Sequence, residues 1–319
     1  MVPQTRLSVK ISPVFTILPR EARTFLAPCH SRVLCSSSSK LMKIKKAVIT
    51  AAGPTQQHLP LQTLISPNGR TKTVVAFILD EIFASGIESA AIVIAPGTEK
   101  AFSSAVSNHL DKVVFIEQAT PRGYGHAILC ARDFTGNEPF LVMMGDHLYL
   151  SLAKESCVRQ LLNFASQANG PVSAVQPTHE SKLPFYGTVA GSPVGGIQGL
   201  YEVSHIIEKP TPTIAEQELI VPGLRSGSYL CFFGIHVLTA PVMKYLDQAF
   251  TEKEDLPLTP SLAAAAKSEK YLACEIEGLR FNIEESYGLL RAQLGMALSG
   301  EGRDEVMGYM IELIAATRR

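Results

Sequence analysis

The sequence predicts an α/β protein: a mixed, mostly parallel sheet flanked by helices, with a helical tail at the C-terminus. Three observations predict it. Short apolar runs alternate with helical periods from Lys46 to Gln176, the pattern of buried strands joined by crossover helices. Glycine-bearing turns follow two of those runs, at Gly53 and Gly145. The last stretch, 286–318, keeps an amphipathic helical period.

Residues 46–51 read as a short buried strand. The segment 73–85 carries Val74, Phe77, Ile78 and Ile82 on one helical face, and Gly86 closes it. A second buried strand is expected at 90–95 and a helix over 98–110. From Lys112 to Leu150 the chain reads strand (112–116), Gly-rich turn, helix (124–132) and strand (140–144), running into Gly145-Asp146-His147. A helix over 154–166 and a strand over 172–176 follow. Residues 184–238 change character. They are rich in Gly and Pro and alternate at 187–190, 201–208 and 228–236, which reads as extra strands and loops beyond the core sheet.

Composition narrows the class. The chain has 319 residues, 46% hydrophobic and 18% charged, the balance of a globular α/β protein. No apolar run approaches the length of a membrane span. The formal net charge is zero, which argues against a nucleic-acid partner. Six cysteines, at 29, 35, 130, 157, 231 and 274, contain no CxxC pair and read as reduced thiols in a cytoplasmic setting.

The first 41 residues stand apart. They carry Arg6, Lys10, Arg20, Arg23, Arg32 and Lys40 against the single acid Glu21, and end in a serine run. Two readings fit: an organelle transit peptide, or an upstream-extended start with Met42 as the true beginning. Either way the segment is expected to be poorly ordered and without a catalytic role. Without it, 23 basic and 28 acidic residues remain.

Five places could carry chemistry. A carboxylate at the end of a buried strand, Asp146, sits where α/β sheets bind ligands and metals. The turn Thr50-Ala51-Ala52-Gly53-Pro54 offers backbone N–H groups that suit a phosphate, although any tight turn would look the same. Glu208-Lys209 before Pro210 can hold a sugar hydroxyl and a phosphate side by side, while the bland reading is an exposed charge pair. Tyr186-Gly187 and Arg280-Phe281-Asn282-Ile283-Glu284 close the set, the first as a place where a sugar could approach the backbone.

Taken in order, these segments resemble the sugar-1-phosphate nucleotidyltransferases, most closely the bacterial UTP–glucose-1-phosphate uridylyltransferases. The resemblance rests on Glu117-Gln118 with Gly123-Tyr124-Gly125-His126-Ala127, on Leu141-Val142-Met143-Met144-Gly145-Asp146, and on Ile207-Glu208-Lys209-Pro210. Phe233-Gly234-Ile235-His236-Val237-Leu238-Thr239 also looks like the family's strand before its late helix.

The resemblance implies a Rossmann-like nucleotidyltransferase domain over 42–285 and a helical appendage over 286–319. It implies that Ala52 and Gly53 hold the nucleotide, and that Gln118 and Gly123 read the uracil. Asp146 would bind Mg²⁺, with Asn282 at the second metal position. Gly187, Glu208 and Lys209 would hold the sugar phosphate, Asp146 and Lys209 being the catalytic residues. The partners are then a nucleoside triphosphate and a sugar 1-phosphate, and a homo-oligomer is compatible with the apolar C-terminal helices. The family reaction joins UTP to glucose 1-phosphate and releases pyrophosphate.

The chain departs from that family at the first loop. The family's A-G-x-G-T-R and the Pro-Lys pair after it are replaced by Ala52-Gly53-Pro54-Thr55-Gln56-Gln57-His58-Leu59-Pro60. The second Gly becomes Thr55, the Arg becomes Gln57, and the second metal Asp becomes Asn282. Arg70, Lys72 or Arg122 would have to substitute from a rearranged loop. Two readings therefore stand together: an active transferase, and a sugar-nucleotide-binding paralogue with a sensing role. An NAD-type oxidoreductase needs G-x-G-x-x-G after the first strand, which Ala51-Ala52-Gly53-Pro54-Thr55-Gln56 does not supply.

Overall fold

The computed structural model describes residues 42–317, apart from 55, 252 and 253. The expectations for 1–41 lie outside the described residues.

Along the chain, β1 (Lys46–Ala51) leads to the hairpin β2 (Thr63–Ile65) and β3 (Thr71–Thr73), then α1 (Val74–Ala84) and β4 (Ser89–Ile94). Next come α2 (Glu99–Ala105), β5 (Val113–Glu117), α3 (Tyr124–Cys130), α4 (Arg132–Thr135) and β6 (Phe140–Met144). After β7 (His147–Ser151) and α5 (Cys157–Ala165) the chain forms β8 (Val172–His179), β9 (Thr188–Pro193) and β10 (Leu200–Ile207). It continues through α6 (Pro212–Glu218), β11 (Ser228–Leu238), α7 (Ala240–Ala249) and α8 (Thr259–Ser268). It ends with β12 (Leu272–Glu275), β13 (Gly278–Asn282), α9 (Gly288–Leu298) and α10 (Arg303–Thr317).

Nine strands form one sheet in the order β5-β4-β1-β6-β11-β8-β12-β10-β9. The first four are mutually parallel. Their sequences are apolar almost throughout because both faces are covered. The β8–β12 pair is also parallel, while β11 and β10 run antiparallel to their neighbours. Parallel pairing is thus concentrated at the N-terminal edge, and the inserted strands supply the antiparallel part.

Two apolar clusters lie on the sheet's two faces. One packs Ile78 and Ile82 of α1, Leu161 of α5 and Met296 of α9. The other packs Ile128 of α3, Leu246 of α7 and Leu262 of α8. Burying a stripe from each helix in this way is what makes the sandwich stable. Local signals set the helix starts. The Thr73 side chain accepts from Ala76 N at 3.3 Å, and Ser156 accepts from Arg159 N at 3.1 Å.

Several expectations shift. The helix expected over 98–110 ends at Ala105 and tightens into a 3₁₀ turn at Ser107–Lys112. There the His109 ring meets Asp80 at 2.7 Å instead of continuing a helical face. The helix over 124–132 breaks at Ala131 into α3 and α4. The helical appendage expected from 286 begins later: Ala292 and Met296 of α9 are buried in the core, whereas α10 has no buried residue among the described ones. The Met307, Ile311 and Leu313 side chains of α10 are exposed, so the apolar face read from the sequence has no cover among the described residues.

The topology explains where a ligand would go. β1 connects onward to β4 on one side, and β6 lies on its other side. At such a reversal the loops leaving adjacent strands part and open a crevice at the carboxyl ends. Thr50 and Met144 are register partners, so the loop after β1 and Gly145-Asp146 emerge side by side.

Candidate active site

A cleft of about 430 Å³ opens at that crevice. Among its walls are Gly123, Asp146, Gly187, Glu208, Lys209 and Asn282, six of the nine residues expected from sequence. The strand β13 pairs antiparallel with β7 and sets Asn282 opposite His147. Ile283 N donates to Asp146 O at 3.0 Å, which closes this ladder against the end of β6. Two residues far apart in sequence are thereby held on one wall.

Asp146 is 1% exposed. Its Oδ1 lies 2.7 Å from His147 Nδ1, and its Oδ2 accepts from Gln56 Nε2 at 2.7 Å. Burial alone would raise its pKa, but the hydrogen bonds and charge from His147 and the Gln56 amide outweigh this and hold it below the usual carboxylate value. Asn282 Oδ1 accepts from Glu284 N at 2.9 Å, an Asx turn that ends β13.

This donor set offers a magnesium ion one formal charge. Magnesium is held by one or two carboxylates plus substrate phosphates. The set fits an ion carried in on a triphosphate, with lone pairs left on Asp146 and one on the Asn282 amide. Among the described residues, no cluster of three or more His, Cys, Asp or Glu side chains could cage a resident metal.

Gly123 has φ +89°, and a Cβ there would lie 2.9 Å from Leu256 O. Only glycine lets this turn pack against the loop before α8. Beside it, the Tyr124 hydroxyl is buried and has no hydrogen-bond partner. Burial, followed by the Asp146 charge, raises its pKa, so it stays a donor.

At the other end, Gly187 faces Glu208. A Cβ on Gly187 would stand 2.8 Å from the Phe232 ring and 2.9 Å from Glu208 Oε2. Glu208 Oε2 accepts from Thr259 Oγ1 at 2.5 Å, which orients the carboxylate. Lys209 takes φ +46°, the left-handed region, immediately before Pro210. A non-glycine residue pays roughly 1–2 kcal/mol there, and such strain clusters at functional sites. The Arg280 guanidinium lies 3.8 Å over the Tyr186 ring and donates to Phe232 O.

Three expected residues do not line the cleft. Ala52 is 1% exposed and packs in the core. Gly53 sits behind Gln56, whose N–H donates to Gly53 O at 2.9 Å, so its part is to place Gln56. Gln118 is 2% exposed, and its Nε2 lies 2.8 Å from His126 Nδ1. The candidate substitute cations do not line the cleft either. Lys72 pairs with Asp80 at 2.6 Å, and neither it nor Arg70 nor Arg122 is a cleft residue.

The structure adds residues the sequence did not single out: Gln56, Tyr124, His147, His236, Asp255 and Arg280. Two of these carried a signal, since His147 adjoins Asp146 and Arg280 opens the Asn282 segment. Among the described residues of the cleft, two cations, Lys209 and Arg280, face four carboxylates, Asp146, Glu208, Asp255 and Glu284. These groups do not neutralise a triphosphate by themselves.

The nucleotidyl transferase family model matches residues 46–276, most of the chain. The UTP–glucose-1-phosphate uridylyltransferase of Streptococcus pneumoniae serotype 4 is 28% identical over 307 residues, covering 85% of this chain and 96% of that protein. A second such enzyme, from Streptococcus pyogenes serotype M1, is 27% identical, covering 86% and 97%. A UDP-glucose pyrophosphorylase complexed with UDP-glucose superposes with a TM-score of 0.63 at 22% identity, covering 79% of this chain and 97% of the other. The UTP-bound enzyme from Acinetobacter baumannii gives 0.65 at 20%, covering 85% and 100%. With the matched segment spanning β1 to β12 and every described cleft residue except Arg280, Asn282 and Glu284, the chain belongs to the nucleotidyl transferase family and has the fold of the UDP-glucose pyrophosphorylases.

Proposed function

We propose that the chain transfers a nucleotidyl group to a sugar 1-phosphate, with UTP and glucose 1-phosphate as the first pair to test. One observation carries this reading: Asp146, Asn282, Glu208 and Lys209 converge on a single cleft at the sheet's switch point. A phosphate oxygen of the sugar 1-phosphate attacks the α-phosphorus of the triphosphate. The new O–P bond forms as the bond to the β-phosphate oxygen breaks, and pyrophosphate leaves. Lys209 holds the sugar phosphate and Glu208 a sugar hydroxyl. Asp146 and, more weakly, Asn282 would hold a magnesium ion arriving with the nucleotide, which would supply neutralisation of phosphoryl charge.

A second reading, binding without turnover, has its own support. Both Asp146 oxygens are engaged by His147 and Gln56, and the latter amide sits on the loop that carries no arginine. A pyrophosphate-release assay over nucleoside triphosphates and sugar 1-phosphates, with magnesium, separates the two. Release with any pair supports the transferase. No release, together with tight binding of a UDP-sugar, supports the binding protein. Neither release nor binding removes both.

A further inference from the structure

A buried polar chain crosses the sheet behind the sugar end of the cleft. Tyr271 Oη and Ser173 Oγ lie 2.5 Å apart, and Ser173 Oγ and His236 Nδ1 lie 2.6 Å apart. Their exposures are 1%, 0% and 3%. Ser173 and His236 are register partners on β8 and β11. The His236 ring reaches the cleft wall, edge-on to Phe232 at 5.0 Å.

Only one order of protons satisfies this chain. The Tyr271 hydroxyl has Ser173 Oγ as its acceptor among the described residues. If Tyr271 donates to Ser173, then Ser173 donates its own proton to His236 Nδ1. A neutral imidazole whose Nδ1 accepts carries its proton on Nε2. The reverse order would strand the Tyr271 proton in a buried site, which proteins avoid. Burial also pushes the His236 pKa down to about 4, so the ring is uncharged at neutral pH. Nε2 has no protein partner among the described residues.

We infer that His236 presents a fixed, neutral Nε2–H donor to the cleft, where it binds a hydroxyl oxygen of the sugar and helps determine which sugar is accepted. The position favours a sugar over a phosphate. Phe232, against which the ring packs, borders the gap between Gly187 and Glu208. A sugar hydroxyl there can accept from His236 and donate to a carboxylate, whereas a phosphate would meet acid. The inference rests on the sugar-nucleotide reading above.

Two measurements on the full chain test it. Long-range proton–nitrogen correlation spectra of the free wild type should show His236 protonated on Nε2 alone between about pH 5 and 8. An Nδ1–H ring overturns the inference. In calorimetric titrations, His236→Phe should weaken UDP-glucose about tenfold, the scale of one lost hydrogen bond, and leave UDP unchanged. His236→Gln, which keeps a donor, should restore most of the difference. Equal affinity for UDP-glucose in wild type and His236→Phe overturns the assignment, as does an equal loss for both ligands. Wild type that binds neither ligand overturns the sugar-nucleotide reading itself.

Discussion

The two ends of the cleft solve the same electrostatic problem differently. The sugar end keeps its own cations, Lys209 and Arg280, beside Glu208. The opposite end surrounds one carboxylate with hydrogen-bonding side chains and no lysine or arginine among the described residues: Gln56, Tyr124, His147 and Asn282. A monoester phosphate can be held by Lys209 directly. Among the described residues, a triphosphate at the other end would meet Asp146 and no lysine or arginine. On the proposed function, the difference means that recognition of the sugar phosphate would be built into the chain, while recognition of the triphosphate would be left to a cation the nucleotide brings.

The largest expected effect breaks the weak end outright. Asp146→Asn removes its only charge next to Gln56 and should lower pyrophosphate release by at least about 10²-fold, the scale of one charge-stabilising group. Retained turnover would dissociate Asp146 from the reaction. At the strong end, Lys209→Ala should weaken UDP-glucose binding by about 1.5–3 kcal/mol, as for a hydrogen bond to a charged group. Calorimetry with UTP should then be nearly unchanged, and a parallel loss for both ligands would erase the distinction between the ends.

Asn282→Asp sharpens the comparison in the other direction. An aspartate can keep the turn to Glu284 N that Asn282 makes, and it adds a second anion for the metal. Turnover should rise by roughly up to 10²-fold, with tighter magnesium in the nucleotide complex. Unchanged rate and unchanged metal affinity would place the second metal position elsewhere.

The smallest effect separates the cleft from the scaffold by pH. The Asp146 pKa is depressed, so its contribution to stability is present above its ordinary value of 3.8 and is lost as pH falls through the lower folded value. Glu81 is the opposite case. Its carboxylate accepts from Val158 N at 3.0 Å at the start of α5, and burial, against the Val158 and Cys157 backbone donors, pushes its pKa up to about 7. That contribution is fully present below 4.5 and is lost as pH rises through about 7. Thermal melts of Glu81→Gln at pH values across that window should lose this decline without altering UDP-glucose affinity. A variant that melts with the wild-type pH slope would acquit Glu81.

Much of this frame was legible in the residues themselves. The runs Lys46–Ala51 and Phe140–Met144 are apolar because both sheet faces are covered, and that pattern placed Asp146 at a strand end before any coordinates. The helix starts expected at 73 and 154 lie within three residues of the caps that Thr73 and Ser156 supply through their side-chain oxygens. The β7–β13 pair was not legible, because its register joins His147 to Asn282 across a long stretch of chain and neither strand has a long period. The helices α6, α7 and α8 were lost among prolines, each having Pro in its first turn, where it helps a helix start. Gln118 was assigned by resemblance to the base, yet its buried amide is spent on His126. The loop that brings Asp255 and Leu258 to the cleft gave no signal of its own. It is fixed by Gly123 and Gly125, which pack against the Leu256 carbonyl.

The claim that the triphosphate end depends on a borne cation is tested most directly by titrating UTP into the wild-type chain in magnesium and again in EDTA. Binding at least about tenfold tighter with magnesium, a difference of roughly 1.4 kcal/mol or more, is the result expected of a cleft whose described residues at that end include one carboxylate and no lysine or arginine. Equal affinity in the two solutions would contradict the account, because Gln56, Tyr124 and His147 would then be holding the triphosphate unaided.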